Sequence, residues 1–309
     1  MTPITALLRD IKFSHTIFAM PFAILGGFMA ATESSGVVSG SFGGSFGGMF
    51  GGMFGGQLVG IVLCMVFGRT VAMLANRILD VKIDGKNPRT SGRAIPSGNA
   101  TRRAAITFLI ASAFLFVATT AGFGFLWNNW LPLMLSIPVL GWLATYPLIK
   151  RFTWMCHLYL GATLALSPIA AAIAIQPSFA LTPQLWLLSA MVMCWVAGFD
   201  IIYALQDVES DREHRIYSMP ASLGEGTAMW ISKVLHLLSV AALYGVYAID
   251  PRLDTVFIIG VIVVAVVLAF EHITVKHWGT TKMAMTFFTL NGVVSCLLGV
   301  AGVVDLLAC

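Results

Sequence analysis

The sequence predicts an all-α, polytopic membrane protein with nine transmembrane helices. Of its 309 residues, 58% are hydrophobic and only 10% are charged, whereas a soluble domain is nearer one quarter charged. Apolar runs of about 20 residues, the length that crosses a bilayer as a helix, recur along the whole chain. The runs that we expect to span the membrane lie at 14–32, 57–78, 102–122, 129–148, 154–175, 183–205, 228–249, 253–271 and 283–306.

The positions of the lysines and arginines predict the orientation of these helices. With the N-terminus in the cytoplasm, fifteen of the eighteen fall in the N-terminal tail or in cytoplasmic loops. Arg69 and Arg77 lie in the inner half of the second span, and only Arg252 falls outside. Cytoplasmic loops of membrane proteins carry such an excess of positive charge. We therefore expect a multi-pass protein of the cytoplasmic (inner) membrane with a cytoplasmic N-terminus.

Several other features of the chain have simple interpretations. Arg9 and Lys12 before an apolar stretch could indicate a signal peptide, but no small-residue cleavage site stands out and we expect a retained helix. The net charge of +4 is small and spread out, so no nucleic-acid partner is expected. The five cysteines form no disulfide framework or CxxC pattern, and we interpret them as buried apolar residues.

A tetrapeptide repeat separates the first two expected spans. Residues 41–56 read SFGG, SFGG, MFGG and MFGG in succession. Glycine at half of the positions favours a flexible loop, and its apolar side chains could touch the membrane surface. We interpret the repeat as a loop expansion within a single membrane domain that covers residues 1–309.

Two clusters of polar residues follow apolar runs on the expected cytoplasmic side. The first consists of Asn76, Asp80 and Asp84, and the second of Asp200, Tyr203, Asp207 and Asp211. A continuous helix turns by about 100° per residue, so each cluster would form a stripe on one helix face. If the second and sixth spans are neighbours, the two stripes face a shared cavity.

Carboxylates at these positions suggest a metal and diphosphate site. They are costly near a membrane interior unless they are paired or bind metal, and Mg²⁺ prefers one or two carboxylates together with phosphate oxygens and water. Two such clusters could hold a diphosphate through bridging ions, while Tyr203 and Tyr146 could stabilise an allylic cation. The cations that could hold the remaining phosphate charge are Arg69, Arg77, Arg89, Arg93, Lys150 and Arg151.

Other interpretations remain open from the residues alone. A single DxxxD pattern is usually a solvated helix face, although two on one side of a membrane protein favour a site. An ion-coupled transporter with intramembrane aspartates is the main alternative, but the acidic residues cluster at one face and no inverted repeat is evident. A phosphotransferase of the phospholipid type would carry a DxxDGxxAR pattern, which is absent.

The ordered motifs resemble those of the UbiA-type intramembrane aromatic prenyltransferases. The residues Asn76, Asp80 and Asp84 resemble the family's NxxxDxxxD motif. Its second motif, DxxYxxQDxxxD, is resembled by Asp200, Tyr203, Gln206, Asp207 and Asp211. Further similar stretches are Lys12–Thr16 with Pro21-Phe22, Asn87–Thr90, Arg93–Gly98 and Tyr146–Thr153. The resemblance covers nearly the whole chain, apart from the repeat at 41–56.

The resemblance implies a nine-helix bundle around a central cavity capped by cytoplasmic loops. It implies Mg²⁺-dependent transfer of a polyprenyl group from its diphosphate to a ring carbon of a small aromatic acid, such as 4-hydroxybenzoate, in ubiquinone or menaquinone biosynthesis. Asp80, Asp84, Asp207 and Asp211 would hold the metal, with Asn76 assisting. Arg69, Arg89 and Lys150 would bind the diphosphate, and Asp200 would orient Lys150 or the acceptor. Ubiquinone-branch members often carry Asp at the position of Arg77. In this respect the sequence resembles menaquinone-pathway relatives instead.

Overall fold

The computed structural model describes residues 2–11, 18–34, 52–282 and 289–308, most of which are helical and none of which forms a strand. The helices are α1 (Pro3–Ile11), α2 (Met20–Ser34), α3 (Met53–Leu79), α4 (Val81–Asp84), α5 (Arg102–Trp127), α6 (Leu131–Ile149), α7 (Cys156–Ile175), α8 (Pro183–Ala204), α9 (Val208–Glu213), α10 (Met219–Leu223), α11 (Glu225–Ile249), α12 (Thr255–Trp278) and α13 (Asn291–Ala308). The stretch Lys12–Thr16 and the repeat up to residue 51 lie outside the described residues. The last residues of the repeat begin α3.

The prediction of an all-α polytopic membrane protein is confirmed. Within the described ranges, eight helices are long and apolar enough to cross a membrane. The first expected span corresponds to α2, which has 15 residues in the part described and is shorter than a typical spanning helix. The total of nine spans therefore stays a prediction.

Long helices that follow one another in the chain pack side by side, and α2 also packs on α7. Each of α5, α6, α7, α8, α11, α12 and α13 contacts the long helix before it in the chain, and α13 returns to pack on α2. Trp195 on α8 is fully buried against Phe22 of α2, with ring centroids 5.4 Å apart. Large apolar side chains such as Phe114 and Phe125 point outward, as expected of helices that face lipid.

Gly161 allows α7 to pack closely against α8. A Cβ atom at Gly161 would lie 2.3 Å from the carbonyl oxygen of Met193, so a larger side chain would force the helices apart. Small residues allow this close packing between membrane helices. The contact brings the first turn of α7, with His157, beside the polar end of α8, with Asp200.

Candidate active site

Both acidic clusters lie across a break between two helices. α3 ends at Leu79, and Asp80 adopts φ −96° and ψ 6° before α4 begins. Similarly, a 3₁₀ turn ends at Asp207, which adopts φ −110° and ψ 5° before α9 begins. These angles lie in the sparsely populated bridge region, where many active-site residues are found.

The expectation of two continuous helical stripes was therefore wrong in this detail. The backbone N–H of Asp80 still donates to Asn76 O at 2.9 Å, and that of Asp84 donates to Asp80 O at 2.8 Å. The hydrogen-bond spacing of a helix thus continues through the break from Asn76 to Asp84.

The carboxylates of the first cluster pair with cations from later segments. Asp80 is only 1% exposed; one oxygen accepts from Lys150 Nζ, and the other from Arg151 Nη2 at 3.0 Å. Both cations follow the end of α6. Asp84 is also buried and receives Arg93 Nη1 at 2.6 and 2.7 Å. Each buried charge thus has the partner that its burial requires.

Arg89 joins the loop after the first cluster to the second cluster. Its Nε and Nη2 atoms donate to the two oxygens of Asp207 at 3.0 and 2.5 Å, and its Nη1 donates to the Tyr203 hydroxyl at 2.9 Å. Asn87 Nδ2 donates to the same carboxylate at 3.2 Å. Burial alone would lower the pKa of Arg89. The interactions with Asp207 and Tyr203 raise this pKa by more than burial lowers it, so it lies above the ordinary value for arginine.

Lys150 lies between the two clusters. Besides pairing with Asp80, it is within electrostatic range of the half-buried Asp211. Its backbone oxygen accepts from the N–H of Tyr217 at 2.7 Å, in the loop after α9. The structure therefore brings together the segments that follow α3, α6 and α8, although α3 and α8 themselves, the second and sixth expected spans, are not closely packed on each other.

Asp200 is held by a histidine. Its Oδ2 lies 2.7 Å from His157 Nδ1, and the Nε2 atom of this ring accepts from the backbone N–H of Met219 at 3.1 Å. Because Nε2 is an acceptor, Nδ1 is the nitrogen that donates to Asp200. No sequence motif indicates His157.

An apolar cavity of about 340 Å³ opens beside the first cluster. It is lined mainly by α3, α5, α6 and α7. Arg69 is its one charged lining residue among the residues described, and the Nε atom of Arg69 is buried without a hydrogen-bond partner there. Tyr146 lines the cavity too, and its hydroxyl accepts from Asn76 Nδ2 at 2.8 Å. Arg69 and Tyr146 thus mark the cavity end nearer the carboxylates.

Two predicted site residues have different surroundings from those expected. Arg77 is buried, and its Nη2 donates to the backbone oxygen of Asp10 in α1 at 3.4 Å. The Asp10 carboxylate in turn accepts from the N–H of Ala94 at 2.7 Å. Arg77 therefore helps to attach α1 and the loop after α4, and it does not line the cavity. Arg69 lies eleven residues before Asp80, about 16 Å along the helix axis, and Tyr146 and Arg77 are the ionisable groups that interact with it.

The donor set fits Mg²⁺ in kind, because all four aspartates offer hard carboxylate oxygens. Within the described part of the chain, however, no three His, Cys, Asp or Glu side chains are grouped to hold one ion. Asp80, Asp84 and Asp207 are paired with Lys or Arg side chains instead. A metal would have to exchange places with these cations, and the remaining ligands would come from a bound anion.

Comparison with known proteins identifies the family. A sequence model of the UbiA prenyltransferase family matches residues 19–293, so the chain belongs to this family. It is 29% identical over 215 residues to a 4-hydroxybenzoate octaprenyltransferase of Hahella chejuensis, covering 67% of each chain.

Solved structures share this fold. A UbiA homolog from Aeropyrum pernix, solved without ligand, is 28% identical and superposes with a TM-score of 0.77 over 95% of this chain and 98% of that one. A UbiA homolog from Archaeoglobus fulgidus bound to DMAPP and Mg²⁺ is 17% identical, with a TM-score of 0.68 over 97% and 98% of the two chains. The second likeness concerns the fold alone.

Replacing Arg89 should free the loop between α4 and α5. Arg89→Met removes the two-pronged contact with Asp207 and the bond to Tyr203, so limited trypsin digestion should cleave this loop at Lys86 or Arg93 several-fold faster. Lys86→Met removes the same charge from an exposed side chain and serves as the control, with cleavage at Arg93 as its readout. Equal cleavage at Arg93 in both variants would contradict the role of Arg89.

Proposed function

We propose that the protein transfers a polyprenyl group from its diphosphate to a ring carbon of a small aromatic acid, in an Mg²⁺-dependent step of quinone biosynthesis. The observation that carries this proposal is the convergence of four aspartates and their cations beside an apolar cavity. A diphosphate with a hydrocarbon tail needs both the charged groups, which bind the phosphates, and the apolar cavity, which holds the tail. Membership of the family and the 4-hydroxybenzoate octaprenyltransferase relative support the reaction class.

The cations and carboxylates exchange partners when the donor binds. Asp80, Asp84, Asp207 and Asp211 would hold Mg²⁺, which neutralises charge that develops on the leaving diphosphate. The displaced Arg89, Arg93, Lys150 and Arg151 side chains then turn to the phosphate oxygens, which hydrogen-bond to them as strongly as carboxylates do. The carboxylates and the cations would thus each keep a partner of opposite charge before and after binding.

The tail of the donor lies in the apolar cavity, and the reacting carbon lies at its mouth. The ring of Tyr203, which already has the guanidinium of Arg89 5.4 Å from its centroid, is placed to stabilise an allylic cation once Arg89 turns away. Tyr146, which lines the cavity and whose hydroxyl accepts from Asn76, contributes a second ring.

Arg69 is suited to bind the acceptor. A buried guanidinium in an apolar cavity needs an anion, and a carboxylate matches its planar set of donors. The diphosphate has four other cations at the cleft, so we assign Arg69 to the carboxylate of the aromatic acid. This assignment replaces the expectation that Arg69 binds the diphosphate.

The reaction proceeds by direct attack of the ring on the donor. The C1–O bond of the donor breaks and diphosphate leaves with the electron pair, while a ring carbon forms the new C–C bond. The same ring carbon then loses its proton, and we assign its uptake to Asp200, which His157 orients. No covalent bond to the enzyme forms. We also expect the site to face the cytoplasm, as the distribution of positive charge indicates.

Loss of a carboxylate from either cluster should abolish transfer. Asp80→Asn and Asp207→Asn each remove a metal ligand, and we expect turnover to fall by roughly 10²–10³-fold or more. Product formation from a labelled polyprenyl diphosphate and a panel of aromatic acids, identified by mass, is the measurement. Glu209→Gln, which changes an exposed carboxylate between Asp207 and Asp211 of the second cluster, is the control. Full activity of either variant, or of the wild type in EDTA, would refute the proposal.

Changes on the acceptor side should separate binding from catalysis. Arg69→Met should raise KM for the aromatic acid about ten-fold or more, because a charged hydrogen bond is lost, while KM for the diphosphate stays unchanged. Asp200→Asn should instead lower kcat and introduce a kinetic isotope effect for an acceptor deuterated at the reacting carbon. Steady-state kinetics with each substrate varied in turn checks both, and a raised KM for the diphosphate in Arg69→Met would exclude the assignment.

A further inference from the structure

Phe123 of α5 closes the end of the cavity that lies away from the carboxylates. It is 1% exposed and lines the cavity together with Ile61 of α3 and Ala174 of α7. These three residues belong to one buried cluster. Ile61 lies nineteen residues before Asp80 in the sequence, so the cluster is the floor of the cavity as seen from the site.

The ring of Phe123 rests directly on a glycine. A Cβ atom at Gly60 would lie 2.7 Å from its Cζ and 2.8 Å from its Cε2, closer than carbon atoms can approach without something shifting. A neighbouring ring supports it, since the Trp127 centroid lies 5.0 Å away. Trp127 itself fills the space beside Gly56, 2.9 Å from a Cβ there. The Phe123 ring is therefore held in place on the side away from the cavity.

The α7 side of the floor is fixed as well. Asn129, just after α5, donates its side-chain amide to the carbonyl oxygens of Ile173 and Ala174 at 2.8 and 3.1 Å. These bonds connect the turn after α5 to the end of α7. A prenyl chain that reaches the floor therefore meets closely packed side chains on helices that are hydrogen-bonded to each other.

The cavity has a definite length. Its lining on α3 runs from Ile61 to Met73, twelve residues or about 18 Å of helix. A covalent chain advances about 1.2 Å per bond when extended, since three backbone bonds span about 3.6 Å. An isoprene unit adds four bonds to the chain, so it advances about 5 Å by the same measure. The cavity thus holds about three to four units.

We propose that Phe123, seated on Gly60, is the floor that sets how much of the prenyl tail the protein holds and hence which donors it prefers. This inference rests on the proposed prenyl transfer. Donors of up to about four isoprene units are held within the cavity, and each added unit improves binding up to that length. Further units of a longer donor lie outside the cavity and add nothing.

The test compares donors of two, three, four, five and eight isoprene units with the purified protein, Mg²⁺ and an accepted aromatic acid. In the wild type, kcat/KM should rise up to about four units and then level off. Phe123→Ala removes the floor, so the ratio of kcat/KM for five units to that for three should rise about ten-fold. Gly60→Ala pushes the ring into the cavity and should lower kcat/KM for four units about ten-fold, with two units unaffected.

A matched control and a double variant make the result specific. Gly122→Ala changes the residue next to Phe123, where a Cβ atom meets nothing within 4 Å, and should keep the wild-type profile. If Gly60→Ala acts through the ring, the added change Phe123→Ala should restore transfer from the four-unit donor.

An unchanged chain-length profile in Phe123→Ala, with transfer intact, would overturn the inference, and this variant decides the matter if Gly60→Ala does not fold. Absence of transfer by the wild type with every donor would instead refute the proposed function itself.

Discussion

The pairing of buried aspartates with cations from distant segments is the interaction on which the site depends. Asp80 accepts from Lys150 and Arg151 across seventy residues of sequence, and Asp207 accepts from Arg89 across more than one hundred. A buried carboxylate without such a partner would cost several kcal/mol. The ends of α3, α6 and α8 are therefore held together by the same charges that we assign to the diphosphate, which explains why a site for a highly charged group can persist in an apolar bundle.

The architecture and the chemical character of the site could be predicted from the sequence. The runs that became α3 and α8 were predicted within a few residues of their ends, because apolar length alone determines a spanning helix. The spacing of Asn76, Asp80 and Asp84 indicated a cluster, and the placement of the positive charges indicated that both clusters lie at one end of the bundle. These features are local or periodic, so a single sequence contains them.

The remaining features depend on contacts between segments far apart in the chain. The bends at Asp80 and Asp207 have no glycine or proline to announce them, since they arise where the helices meet the loops and their cations. The role of His157 depends on Gly161, which lets α7 approach α8. Likewise, Arg77 looked like a substrate ligand from its position in the motif, whereas its guanidinium is turned toward Asp10 of α1.

The central claim is that both clusters bind one diphosphate together with Mg²⁺ by exchanging cation partners. Calorimetric titration of the purified protein with a non-reactive thio analogue of a four-unit prenyl diphosphate tests it most directly. The account predicts tight binding with Mg²⁺ that weakens at least a hundred-fold without the metal, and to a similar degree in Asp84→Asn or Asp211→Asn. Equal affinity with and without Mg²⁺, or affinity that depends on one cluster only, would contradict it.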